Sequence, residues 1–258
     1  MVSTASAAPV LPHTDARALY GIVPAAAAQA DHPTTPPEVT LVPYGDIAGL
    51  TGPVPATRVR GLRSSLLSYT DLLDQYAAGW PVLPIRFGTT VPTAAAVVTE
   101  VLAPHHDTFA QGLLALGQRA QFTVRARYLP DAIVAEVMAE RPDAVRLQRR
   151  GTDASARLRL GELIGHAVAG RRALDSNELA HRLTPYAAAV AIHRSTTMDL
   201  ESLADVACLI DHAAQDEFEQ AVANIAERWR DRVRIRLLGP MAPYHFADQL
   251  TGSGRPPC

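Results

Sequence analysis

Lysine is absent from the 258 residues, so all 24 basic side chains are arginine. That alone excludes a phosphate loop of the G-x-x-x-x-G-K type, whose lysine reaches the phosphates. Neither G-x-G-x-x-G nor G-x-S-x-G occurs, so the dinucleotide fingerprint and the strained serine elbow are missing too. Alanine and proline are abundant, and the arginine bias reads as drift in a high-GC genome. No single arginine can then be argued from its type alone.

Cysteine is nearly absent as well. Cys208 sits in an apolar run and Cys258 in a Gly/Pro-rich tail, so the two make no disulfide framework and fit a reducing cytoplasm. Cys208 as a nucleophile would need an exposed electropositive niche, which an apolar strand does not offer. No run approaches the ~18–20 apolar residues a spanning helix needs. The start, MVSTASAAPVLPHTDAR, lacks a basic stretch followed by an apolar one, so residues 1–16 read as a disordered leader and not a signal peptide. The net charge of −2 supplies no global field toward nucleic acid or an anionic membrane. Hydrophobic residues at 48% are ample for buried cores, and the length suits two modest domains.

Folded sequence begins near Arg17. Strands are expected at 18–23, 39–44 and 81–87, with Gly45-Asp46 turning the second into IAGL. A helix is expected over 58–78, its stripe formed by Leu62, Leu66, Tyr69, Leu73 and Tyr76. A second helical region runs over 93–117, where Pro104 must split or kink it.

The pattern restarts at Gln121, which places a domain boundary near 119. QFTVRARY (121–128) alternates as a half-covered strand does. Helices follow over 130–141, 154–172 and 177–183, the second with Leu158, Leu163, Ile164, Ala167 and Val168 inward. Then come strands 187–193 and 204–211 and a helix over 214–229 carrying Phe218, Ala221, Val222, Ile225 and Trp229 on one face. The closing segment RVRIRLLGPMAPYHFAD (232–248) sets Val233, Ile235 and Leu237 against Arg232, Arg234 and Arg236. Gly239 and Pro240 break that alternation, and Pro243, Tyr244 and Phe246 lead over the sheet edge. Stripped of extra helices this half is β-α-β-β-α-β, a ferredoxin-like unit with helices on one face. In that topology the first and last strands are neighbours, so Arg125 and Arg127 lie beside Arg232, Arg234 and Arg236 on the face away from the helices.

The ordered set LYGIV, YGDIAGL, VLPIRFGTT, QFTVRARY, RLRLGELIG and RIRLLGPMAPYHF resembles the GvpL/GvpF family of gas vesicle proteins, over residues 17–247. The Ala/Pro-rich loop after the first strand and the long tails depart from that pattern. The resemblance implies an α+β protein of two domains: an N-terminal α+β domain (17–118) and a C-terminal ferredoxin-like domain (119–247), with a disordered tail over 248–258. It implies a cytoplasmic, non-enzymatic accessory protein of gas vesicle formation. Its partners would be the hydrophobic shell protein and other accessory proteins, with no cofactor, nucleic acid or membrane. It transfers no catalytic or ligand motif.

The candidate binding residues are therefore arginines. The five-arginine sheet face is either a solvated or internally paired face, or a docking surface for an acidic partner segment. Arg86, between Ile85 and Phe87, either pairs with Asp46 or Asp71 or anchors a partner's carboxylate. RNA-recognition sheets stack bases on exposed aromatics, but Phe122 and Tyr128 alternate with the arginines and so face the helices. Adjacent His105 and His106 point about 100° apart on a helix, against a metal site. His166, His181, His193 and His212 show no ligand spacing. The alternative function is a ferredoxin-like binding or sensor protein for a small ligand.

Overall fold

The computed structural model describes residues 15–29, 38–54, 62–150, 153–193 and 199–251, grouped in two compact units. Nearly all of the leader expected over 1–16 lies outside the described residues, as does Cys258. The architecture is mixed helix and sheet, with two antiparallel sheets.

In the first unit β1 (Arg17–Pro24), β2 (Thr40–Tyr44) and β3 (Ile47–Pro53) form a meander in the order β2-β3-β1. The helix α1 (Leu62–Ala77) buries Tyr69, Leu72, Leu73 and Tyr76, one stripe at steps of three and four. Leu66, placed in that stripe by the sequence, is instead 43% exposed because the face turns toward Leu72. The strand expected over 81–87 shrinks to β4 (Leu83–Pro84), followed by β5 (Thr90–Val91), both beside β1. Pro81 and Pro84 lack the amide hydrogens a longer ladder would use. The helical region over 93–117 breaks where proline demands. It runs as α2 (Ala94–Ala96), a π-helical stretch Val97–Leu102, and α3 (Ala103–Leu116), with His105 at φ −120, ψ 15. The missing amide of Pro104 lets the preceding turn widen. Leu19, Ile22, Ile47, Leu83, Val97, Leu102 and Phe109 make this unit's core.

The second unit holds β6 (Arg119–Tyr128), α4 (Pro130–Glu140), α5 (Pro142–Arg149), α6 (Ala154–Leu183), β7 (Ala189–His193), β8 (Ser202–Asp211), α7 (Gln215–Trp229) and β9 (Val233–Met241). Its sheet has the order β7-β8-β6-β9, every neighbouring pair antiparallel, so the unit's first and last strands are side by side. Alternation turns Phe122, Val124, Ala126 and Tyr128 toward the helices, where they meet Val206, Cys208 and Ile210 of β8 and Phe218 and Val222 of α7. Each large side chain hidden this fully contributes about 1.5–3 kcal/mol.

Three expectations in this unit need correction. The pieces at 154–172 and 177–183 are one helix of 30 residues. Asp175 and Ser176 look like a break in sequence, yet Ser176 is buried with its hydroxyl donating to the Ala173 carbonyl, and Asp175 is held by ion pairing. Leu158, expected inward, is 67% exposed, whereas Val168 further along α6 is buried. The helix α5 was not expected at all. Pro142 starts it at a position that needs no amide hydrogen.

Residues from Ala247 group with the first unit, and α8 (Ala247–Leu250) stands where a disordered tail was expected to begin at 248. Leu250 packs on the first unit's core. Gly112 permits this: a Cβ there would lie 2.8 Å from the Leu250 carbonyl oxygen.

Candidate functional site

The open face of the second sheet is built by the same alternation that fills its core. The register opposes Arg125 directly to Arg236 and Arg127 to Arg234. Side chains directly opposite on an antiparallel pair sit with Cβ atoms about 4.5–5.5 Å apart, and like charges there repel. From the other side Asp205 of β8 reaches both β6 arginines: Arg125 Nε donates to Oδ2 at 3.2 Å and Arg127 Nη1 to Oδ1 at 2.9 Å. Arg234 and Arg236 are exposed and have no ion pair among the described residues. The four guanidinium groups line a notch of about 310 Å³ that also takes in Glu201 and the Tyr128–Pro130 corner. Neither Asp205 nor Glu201 was singled out from sequence. The signal for Asp205 was available, since its position in the period of two puts it opposite the buried side of β8.

Arg232 does not belong to this face. Ladder pairing in β9 begins at Val233, and the arginine before it turns toward the helices. There Nη2 donates to Asp175 Oδ2 and Nε lies 2.6 Å from Glu136 Oε1, with the guanidinium 5.4 Å from the centre of the Tyr128 ring. Tyr128 donates to the same Asp175 oxygen at 2.6 Å. Burial opposes the charge of Arg232, but Asp175 and Glu136 outweigh it and hold its pKa above the ordinary value. Burial, then the Asp175 carboxylate, raises that of the Tyr128 hydroxyl. This ion-paired node joins α4, α6 and the ends of β6 and β9.

Arg86 is exposed, and neither Asp46 nor Asp71 pairs with it. Thr89 caps its carbonyl instead, through its amide at 3.1 Å and its hydroxyl at 2.8 Å. Asp46 is engaged by His106, 2.7 Å from Nε2, while Asp107 lies 3.0 Å from Nδ1. No group of three or more metal-ligating side chains is assembled among the described residues. Phe122 and Tyr128 are 1% and 2% exposed on the helix side, so neither offers a ring to the open face. Cys208 is fully buried, and burial pushes its thiol up to about 12.

Beyond the notch the C-terminal segment folds over the sheet. Gln121 Nε2 donates to His245 Nδ1 at 2.7 Å, and its Oε1 accepts from the His245 amide at 3.0 Å. The His193 and His245 rings meet with centroids 4.0 Å apart and planes tilted by 52°. Sequence gave no hint of this pair, which is remote along the chain. Burial first, then the facing His193, depresses His245 below its ordinary 6.5, partly offset by Asp205. His106 is shifted the other way by its hydrogen bonds to Asp107 and Asp46. The signs fix the linkage. An unfolded chain binds more protons at His245 than the native one between its folded pKa and 6.5. Its contribution is therefore whole above 6.5 and declines as pH falls through that window. His106 contributes below 6.5 and loses its contribution as pH rises through its folded value. An NMR titration should place His245 below and His106 above 6.5, and His193→Gln should move the His245 midpoint upward. A His245 midpoint at or above 6.5 would refute the close approach of the two rings.

These two units have known counterparts. Residues 16–248 match the family model described as gas vesicle synthesis protein GvpL/GvpF. Gas vesicle protein F of Streptomyces sp. (strain CB03234) is 26% identical over 245 residues, covering 89% of this chain and 98% of that protein. Gas vesicle protein L of the same organism is 30% identical over 233 residues, with 80% and 82% covered. The crystal structure of GvpF from Anabaena sp. PCC7120 superposes with a TM-score of 0.67 at 24% identity, over 91% of this chain and 98% of that one. GvpF from Microcystis aeruginosa gives 0.68 at 21%, with 91% and 99% covered. The chain belongs to the GvpL/GvpF family of gas vesicle synthesis proteins. Its role accordingly lies in gas vesicle formation. No helix among the described residues is long and apolar enough to cross a membrane.

Proposed function

We propose that this protein acts in the cytoplasm by binding, without catalysis: it engages the hydrophobic shell protein, other accessory proteins, or both, while gas vesicles assemble. The family match over residues 16–248 carries this reading. A very apolar shell subunit needs a partner that covers its surface before assembly, and such a partner must itself present apolar area. Leu114 at 83% exposure, Leu158 and Leu174 at 67% and Leu67 at 54% are available for that. On the same reading the chain comprises an N-terminal domain over 17–118 and a ferredoxin-like domain over 119–247, and the strand order of the second sheet supports that assignment. Arg125, Arg127, Arg234 and Arg236 form a docking surface for an acidic partner segment, and Arg86, exposed and without an ion pair among the described residues, anchors a carboxylate elsewhere.

Co-expression of the tagged chain with the shell protein tests the reading. Shell protein should co-purify well above an unrelated tagged control, and Leu114→Ser should reduce the yield without lowering the melting temperature. Shell protein recovered no better than with the control would refute shell binding.

A further inference from the structure

We propose that the notch between β6 and β9 is a carboxylate clamp for an acidic peptide segment of a partner protein. Arg234 and Arg236, which have no ion pair among the described residues, are its anchors, and Asp205 already occupies the place of a partner's carboxylate. The proposal rests on reading the arginine face as a docking surface, and it specifies the ligand, the division of labour and an internal competitor.

Arg125 faces Arg236 and Arg127 faces Arg234 across the ladder, at positions where opposite charges would stabilise the sheet and like charges weaken it. The helix-covered side explains none of this, because these side chains point away from it. An arrangement that works against the fold is accounted for when an anion from outside relieves the repulsion.

Asp205 displays what such an anion does. One carboxylate, from a strand next to β6, spans Arg125 and Arg127 with a separate oxygen for each. It cannot also serve β9, which lies on the far side of β6. Arg234 and Arg236 are thus left as an exposed pair two residues apart on one strand face, about 6.6–6.8 Å along the chain. Alternate residues of an extended peptide share that spacing, so two of its carboxylates can meet the two guanidinium forks together.

Charge and size select the ligand class. Four guanidinium groups face two carboxylates, Asp205 and Glu201, so the notch keeps two positive charges in a chain whose net charge is −2. A volume of about 310 Å³ accepts a few carboxylate side chains. Nucleic acid fits less well: the two acids repel phosphates, and both aromatic side chains of β6 are sealed in the core, leaving no stacking platform.

Binding of fluorescein-labelled hexaglutamate to the full chain, followed by anisotropy, tests the clamp. The peptide should bind at low ionic strength and be released by added salt. Arg234→Gln with Arg236→Gln should weaken binding about tenfold or more. Asp205→Asn should strengthen it by about threefold, because Arg125 and Arg127 become available to the peptide. The double glutamine variant should melt no lower than the parent, since it removes like-charge opposition; arginines serving only the fold would give the reverse. No binding at low salt, or affinity indifferent to these substitutions, would overturn the proposal. So would an oligouridylate of equal charge that binds more tightly and depends on the same arginines. The assay contains no shell protein, so a chain that binds the peptide yet captures no shell protein refutes shell binding alone.

Discussion

Gly239→Ala destabilises the second unit by roughly 3 kcal/mol, a large effect for one methyl group. Gly239 has φ +131, a region closed to side chains bearing a Cβ. An added Cβ would lie 2.9 Å from the Gln121 carbonyl oxygen and 2.9 Å from Phe122 Cδ1. Neither neighbour can step aside. Gln121 and Phe122 belong to β6, which is paired on both edges, and the Phe122 ring packs against Phe218 at 5.6 Å between centroids. The backbone penalty is about 1–3 kcal/mol and the overpacking penalty of similar size, so the melting temperature should fall by about 10 °C. Gly170→Ala is the control. It lies inside α6 with nothing within 4 Å of an added Cβ, and the change should stabilise by about 0.5–1 kcal/mol. If the two variants melt alike, the bend at the end of β9 has a second solution and the argument fails.

The contrast shows what an amino-acid sequence carries by itself. Strict alternation in QFTVRARY and VRIRL fixed both the strands and the faces of their side chains, because a half-buried strand allows one register of apolar residues. Pro104 announced a distorted helix for an equally local reason. The arginine notch was legible to the same degree: four of its members follow from alternation plus the adjacency of first and last strands.

What escaped was set by partners remote in the chain. Arg232 continues the alternation perfectly on paper, yet the ladder starts one residue later and the guanidinium turns to Asp175 and Glu136 on two helices. Asp175 and Ser176 read as helix breakers because their side chains compete for backbone groups. In the folded protein Asp175 is held by Tyr128 and Arg232, Ser176 is buried with its hydroxyl on the Ala173 carbonyl of its own helix, and α6 continues through both. The His193–His245 ring contact and the Asp46–His106 contact join positions whose proximity no periodicity announces. In β4, conversely, local proline chemistry overruled an apolar run that read as a long strand.

Asp175→Ala should cost about 3 kcal/mol, through electrostatics and not packing. The carboxylate accepts from both Tyr128 and Arg232, and the Asp175 and Arg232 side chains are 14% and 21% exposed. Removing it strands a mostly buried guanidinium with Glu136, which Arg171 also claims at 3.3 Å. Access of water to the node keeps the loss below that of a fully buried pair. Asp175→Asn retains an acceptor oxygen and should lose about half as much. Replacing the group as a whole, with Tyr128→Phe, Asp175→Leu and Arg232→Met together, should restore most of the stability, since no polar member is then left unpartnered. Urea melts of the single, conservative and triple variants separate these outcomes; a loss under about 0.5 kcal/mol for Asp175→Ala would show the node to be screened like any surface pair. The node also holds the residue at which β9 enters its ladder. Arg232 pinned beneath the sheet sets Val233 opposite Tyr128, which brings Arg234 to Arg127 and Arg236 to Arg125. An ion pair facing the core thereby decides which charges meet on the outer face.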